Sequence, residues 1–89
     1  MVAWTLRFER AAEKDSSRLR DAGLKSRAEV VLALIEQDPY RMPPPYEKLI
    51  GDLKGFFSRR INRKHRVVYK VVADSHEVVI RRMFSHYGE

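Results

Sequence analysis

Four prolines fall within seven residues, Pro39 and the unbroken Pro43-Pro44-Pro45, and they are all the prolines the chain has. Each ring fixes φ, removes a backbone donor and biases the preceding residue away from the helical region. No helix can cross this stretch. It is expected to run extended and semi-rigid, presenting Tyr46, Glu47 and Lys48. The rest of the chain must organise on either side of it.

Ahead of the prolines, Val2, Trp4, Leu6 and Phe8 alternate with Ala3, Thr5 and Arg7, the period of a strand with one face in the core. Residues 9 to 21 turn to helix formers, with Ala12, Ser16 and Leu19 as a weakly apolar stripe and Gly23 placed to end the segment. Residues 26 to 37 form a second helix, with Ala28, Val31, Leu32 and Ile35 on one face. Beyond the prolines, the β-prone runs 56–61, 65–73 and 77–87 are separated by the short breaks Asn62-Arg63-Lys64 and Asp74-Ser75-His76. The predicted order is β-α-α-β-β-β. This is an α+β fold in which two N-terminal helices pack on one face of a mainly antiparallel twisted sheet, leaving the other face for polar chemistry. Trp4 is read as core, and Tyr69 with Val67 and Val71 as packing under the helices.

Eighty-nine residues make a single domain, 1–89, with one thin core. A dimer or a tight partner complex would add stabilisation. Eighteen Lys+Arg against 12 Asp+Glu leave a net charge of +6, a field that attracts polyanions on so small a body. Nucleic acid is the leading partner class. No stretch approaches the roughly 20 apolar residues of a membrane span, and no long apolar run carries a basic flank, so no membrane partner is expected. There is no cysteine, hence neither disulfide nor thiolate zinc site, and the alternating N-terminus does not resemble an export signal. The cytoplasm is the expected location.

The later half of the chain holds a carboxylate, guanidiniums, an imidazole and a phenol on neighbouring strands: Glu47, Arg66, His86 and Tyr87. Such a set can cleave RNA without a metal. A base takes the 2′-hydroxyl proton, a cation stabilises the phosphorane, and an acid protonates the departing 5′-oxygen. Glu47 fits the base, Arg66 the stabiliser and His86 the acid, while Tyr87 positions the phosphate or stacks on a base. An unperturbed imidazole, with a pKa of about 6.5, suits proton donation. Plainer readings stand beside these. Glu47 could be a surface carboxylate, Arg66 could pair with an acidic neighbour such as Asp52, and His65 and His76 are structural or solvent-facing. Arg81 and Arg82 are either solvated strand charges or RNA contacts. No His/Asp/Glu group has metal-ligand spacing and no glycine-rich phosphate loop exists, so neither metal nor cofactor is expected.

The ordered motifs are Glu47-x-Leu49, Gly55-Phe56-Phe57-Ser58-Arg59-Arg60-Ile61, His65-Arg66-x-Val68-Tyr69 and the late His86-Tyr87. Together they resemble the YoeB (Txe) branch of the RelE toxin superfamily. Phe57 stands where that branch usually has Trp, and Gly88-Glu89 extend past its usual end. The resemblance implies a RelE-like microbial RNase fold and a toxin that cleaves messenger RNA in the ribosomal A site. It further implies homodimer formation and neutralisation by a cognate YefM/Phd-type antitoxin. The family's catalytic residues fall on Glu47, Arg66, His86 and Tyr87. Arg59 and Arg60 match its Ser-Arg-Arg motif and are read, with Lys48, as phosphate contacts; Arg81 and Arg82 extend that basic set. The alternative is a non-catalytic basic module that blocks translation by occupying the ribosome or its RNA. Neither helix offers the helix-turn-helix pattern of a DNA-binding regulator. Codon preference, action on free RNA and the antitoxin's identity are not legible.

Overall fold

A computed structural model describes residues 2–84, so His86 and Tyr87 lie outside the described residues. Strand β1 (Thr5–Phe8) leads into helices α1 (Arg10–Asp21) and α2 (Lys25–Gln37). The chain then forms β2 (Glu47–Lys48), β3 (Phe57–Arg60), β4 (Arg66–Val72) and β5 (Glu77–Arg82). The sheet order is β1-β5-β4-β3-β2. Strands β2 to β5 walk antiparallel across the sheet, and the last of them arrives alongside β1, to which it is parallel.

The predicted fold class holds, with two helices on one face of a predominantly antiparallel sheet. Two details differ. β2 is a strand of two residues, too short to show any alternation, and the pairing of the first strand with the last makes the sheet mixed. Gly23 ends α1 as expected. At φ 73° it lets its own N–H reach the Arg20 carbonyl (3.0 Å) and the Leu24 N–H reach that of Leu19 (2.8 Å), a Schellman closure.

Ala28, Val31 and Ile35 of α2 are buried against Val67, Tyr69, Val78 and Ile80 of the sheet. On α1 the buried positions are Ala12, Asp15 and Leu19, spaced three and four apart. Ser16, expected in that stripe, is exposed and bonds back to the Glu13 carbonyl. Asp15 takes its place because it is fully spoken for. Its Oδ2 accepts from Arg82 Nε (2.9 Å) and from the backbone N–H groups of Met83 (3.0 Å) and Phe84 (3.3 Å), while Arg82 Nη2 donates to Oδ1 (3.3 Å). A carboxylate 1% exposed is tolerable only with such partners.

The proline segment does not run extended. It turns at Pro39-Tyr40 and bends at Pro43-Pro44, with cis peptide bonds before Pro43 and Pro44. The reason lies on β3. Arg59 is 1% exposed and gathers the carbonyls of Pro39 (3.1 Å), Arg41 (2.7 Å) and Pro44 (2.6 Å), while its Nε donates to the Tyr69 hydroxyl (3.0 Å). An extended chain from 39 to 44 would span about 16 Å and could not bring three carbonyls to one guanidinium. The Tyr69 hydroxyl in turn donates to the Pro39 carbonyl (2.8 Å). Burial pushes this phenol's pKa up, against the pull of Arg59. Trp4, Tyr40, Phe57 and Tyr46 continue the packing as edge-on ring pairs with centroids 5.2–6.5 Å apart.

Replacing Arg59 by Met keeps apolar volume but takes the guanidinium donor from the Arg41 and Pro44 carbonyls, while the Pro39 carbonyl keeps the Tyr69 hydroxyl. The variant is expected to lose about 3 kcal/mol of stability in urea titration. Asp15 gives a pH signature. Burial alone would raise its pKa, but the bonds from Arg82, Met83 and Phe84 and the Arg82 charge bring it below the ordinary value. The unfolded chain therefore takes up this proton first as pH falls, and the stabilisation present above about pH 4 is lost as pH drops through the lower folded value. The gap in urea midpoint between wild type and Asp15→Asn is expected to be constant at neutral pH and to shrink below about pH 4.

Candidate active site

The polar face of the sheet is fixed by register. Val67 and Tyr69 of β4 point into the helix-covered core, so Arg66 and Val68 face the other way. Val68 pairs with Ser58 and Ser58 with Glu47, while Arg66 pairs with Arg60. Glu47, Ser58, Arg60 and Arg66 therefore share the face that the helices do not cover. Strand β2, short as it is, carries Glu47 into this row.

Arg66 Nη1 donates to Glu47 Oε1 (3.2 Å) and to the Ser58 hydroxyl (3.1 Å). The guanidinium is buried and the carboxylate is not, with side-chain exposures of 8% and 57%. An arginine held from behind by a serine and bonded to an accessible carboxylate is oriented, with its remaining N–H groups available to a ligand. The pair sits at a cleft of about 200 Å³ between the proline segment and the sheet, whose lining includes Tyr46, Glu47, Ser58, Arg60, Arg66 and part of the enclosed Arg59. The acidic partner of Arg66 is thus Glu47 and not Asp52. Ser58 was not singled out in the sequence, although its place one residue before the arginine pair puts it on the same face as Glu47.

The basic residues divide. Arg60 is exposed beside the cleft; Lys48 is exposed too, but paired opposite Phe57 it turns to the other side of the sheet from Glu47. Arg81 is exposed on the same uncovered face, 3.6 Å from Glu9, and lies with Lys70 against the ring of Phe56, each cation 5.4 Å from its centroid. Arg59 is not a phosphate contact, because every polar bond it makes is to the protein's own loop and to Tyr69. Arg82 is half-buried, and its Nε and Nη2 hold Asp15. His65 stacks on Phe84 and His76 on Trp4, both with centroids 3.9 Å apart, in agreement with structural roles. Among the described residues no group of His, Asp and Glu could hold a metal ion.

Arg66 and His86 could share a face only if the turn between their strands had an odd number of residues or a bulge intervened. The connection between the paired Val72 and Glu77 has four residues, an even number, but a bulge is present. Pairing passes from Tyr69↔Ile80 to Val68↔Arg82, leaving Arg81 as the extra residue. Beyond it, even-numbered residues of β4 face even-numbered residues of β5. That condition is met as far as Arg82; His86 itself lies outside the described residues.

No helix is long and apolar enough to cross a membrane among the described residues. The profile of the YoeB-like toxins of bacterial type II toxin-antitoxin systems matches residues 13–87. A YoeB toxin of Streptomyces coelicolor is 39% identical over 67 residues, covering 75% of this chain and 77% of the relative. Among solved structures, a YoeB/ParE toxin from Agrobacterium tumefaciens superposes with a TM-score of 0.82 at 25% identity, covering 93% of this chain and 99% of that one. The toxin in a heterotetrameric YoeB-YefM toxin-antitoxin complex from Staphylococcus aureus gives 0.77 at 28% identity, covering 94% and 98%. With the family profile matched over most of its length and the fold in agreement, this chain belongs to the YoeB-like toxin family of type II toxin-antitoxin systems.

Proposed function

We propose that the chain is a metal-independent endoribonuclease that cleaves messenger RNA in the ribosomal A site and so halts translation. The single observation that carries this reading is the accessible Glu47 carboxylate bonded to the buried, oriented Arg66 on the uncovered face of the sheet. A phosphodiester entering the cleft would meet Arg66 through its free N–H groups, and the neighbouring 2′-hydroxyl would lie within reach of Glu47. Glu47 takes the 2′ proton, the 2′-oxygen attacks phosphorus, and Arg66 stabilises the charge that builds on the phosphoryl oxygens. The P–O5′ bond then breaks as His86 protonates the departing oxygen. The products are a 2′,3′-cyclic phosphate and a 5′-hydroxyl end. Tyr87 positions the phosphate or stacks on a base, and Lys48, Arg60 and Arg81 bind neighbouring phosphates. A YefM/Phd-type antitoxin is the proposed inhibitor and a second copy of the chain a proposed partner, consistent with a core too small to be generously stable alone.

End-mapping of a translated message, with and without ribosomes, tests the reading. The wild type is expected to create new 5′-hydroxyl ends only when ribosomes are present, and Glu47→Gln and Arg66→Ala each to slow cleavage by about 100-fold or more. Stalled translation without new ends would instead show inhibition by occupancy, and undiminished cleavage by both variants would remove them from the chemistry. Arg60→Ala is expected to weaken RNA binding and to lower the slope of log K against log salt by about 0.7, the share of one contact to a single-stranded phosphate.

A further inference from the structure

The face of the sheet that the helices leave open is dominated by charged side chains, yet a half-buried phenyl ring stands among them. Phe56 lies two residues before Ser58, and so shares the face of Ser58, Arg60 and the Glu47–Arg66 pair. Its backbone is tied on both sides. The N–H donates to the Leu53 carbonyl (3.0 Å) and the carbonyl accepts from the Leu49 N–H (2.9 Å), with Gly55 at φ 97° turning the chain into place. Two cations flank the ring, Lys70 Nζ and the Arg81 guanidinium carbon, each 5.4 Å from its centroid. Atoms in contact stand about 3.5–4 Å apart, so neither cation is seated on the centre of the ring. Arg81 has Glu9 at 3.6 Å, whereas Lys70 and Arg60 form no ion pair with a carboxylate among the described residues.

We infer that Phe56 is a stacking platform for one base of single-stranded RNA, with Lys70 and Arg81 receiving the phosphates beside it. The inference rests on the reading of this face as the place where RNA is cut. Every base has a flat π surface, and an aromatic ring fixed between cations answers both the base and the backbone that carries it. An acidic peptide would answer the cations and leave the ring unused, and a duplex has its base faces already stacked. Register supplies the reach. Two strand residues cover about 6.6 Å and stacked nucleotides advance about 3.4 Å each, which puts the platform one or two nucleotides from a phosphate held by Arg66. The plainer role for the ring is a roof over Val68 and Val79, buried on the same face. Leucine in its place separates the two, because it keeps the roof and removes the π surface.

The test uses a short single-stranded RNA, 2′-O-methylated throughout so that no 2′-hydroxyl can attack, with one 2-aminopurine whose fluorescence falls on stacking. It is offered free and as the A-site codon of programmed ribosomes. The wild type is expected to quench the fluorophore at one position of the RNA, and Phe56→Tyr to quench it equally. Phe56→Leu is expected to lose the quench and to bind about 5- to 100-fold more weakly, with its urea midpoint near that of the wild type. Lys70→Ala is expected to keep the quench while lowering the slope of log K against log salt by about 0.7. Quenching by Phe56→Leu equal to the wild type reduces the ring to a roof and overturns the inference, as does a wild type that quenches in neither format. If Phe56→Leu does not fold, nuclear Overhauser contacts between the Phe56 ring and the aminopurine in the wild type decide, their presence supporting the platform and their absence overturning it. Resonances of Phe56 and Lys70 that move with a poly-glutamate peptide and not with RNA assign the face to an acidic protein partner, and the inference falls. Cleavage of unmodified message by a wild type that gives no quench sinks the platform alone. A quench without cleavage sinks the nuclease reading and leaves Phe56 as part of an RNA-binding face.

Discussion

One buried guanidinium organises the half of the molecule that carries the site. Arg59 is out of water with no balancing carboxylate among the described residues, and it is accommodated by three backbone carbonyls and a phenol arranged around its planar fork. That arrangement has a topological effect. The carbonyls belong to the proline segment, so satisfying the cation folds the segment down onto the sheet and delivers residues 47 and 48 to the edge of β3. Only then does Glu47 stand opposite Ser58 and within 3.2 Å of Arg66. The prolines make this economical. A segment with few backbone donors and restricted φ loses less entropy on being fixed, and offers carbonyls freely.

The division of labour among the cations explains why net charge alone is a coarse guide. Arg59, Arg66 and Arg82 lie inward and each answers a specific group: loop carbonyls, the Glu47–Ser58 pair, and Asp15. Lys48, Arg60, Lys70 and Arg81 remain outward, where a polyanion can meet them. The interior set shapes the site and the exterior set supplies the long-range attraction. Arg59 and Arg60 part because alternate residues of a strand face opposite ways, whereas Arg66 shares the face of Arg60 and is withdrawn from solvent beside Glu47 and Ser58.

Much of the fold was legible because period and punctuation agreed. The stripe of α2, the Gly23 stop, the two short breaks between the late strands and the packing of Tyr69 under the helices all appear where the residues put them. What was missed falls into two kinds. β2 has two residues, and its existence depends on Arg59 drawing in the loop, a contact across 20 positions for the Pro39 carbonyl that local pattern does not encode. Asp15 reads as a polar residue on a helix surface, and nothing near it in sequence announces that its partners lie 67 to 69 positions away. The same blindness placed the enclosed Arg59 among ligand contacts. Motif matching assigns a side chain a role by neighbourhood in the chain, whereas burial is decided by neighbourhood in space. Glu47 and Arg66 stand 19 positions apart, and the order of the motifs, not nearness in the chain, put both in one candidate set.

The parallel seam between β1 and β5 joins residues far apart in sequence, Thr5 lying opposite Glu77. During translation β1 and both helices emerge with their sheet neighbour still unmade, and the seam can form only after residues 77–82 have left the ribosome. Closure of the sheet is thereby a late step, since contacts so distant in sequence carry a high loop-closure cost. A prematurely terminated product lacks the strand that seals the sheet, together with the anchor for Asp15. Topology thus acts as a safeguard during manufacture: fragments of this chain are left without the framework on which its surface chemistry is built.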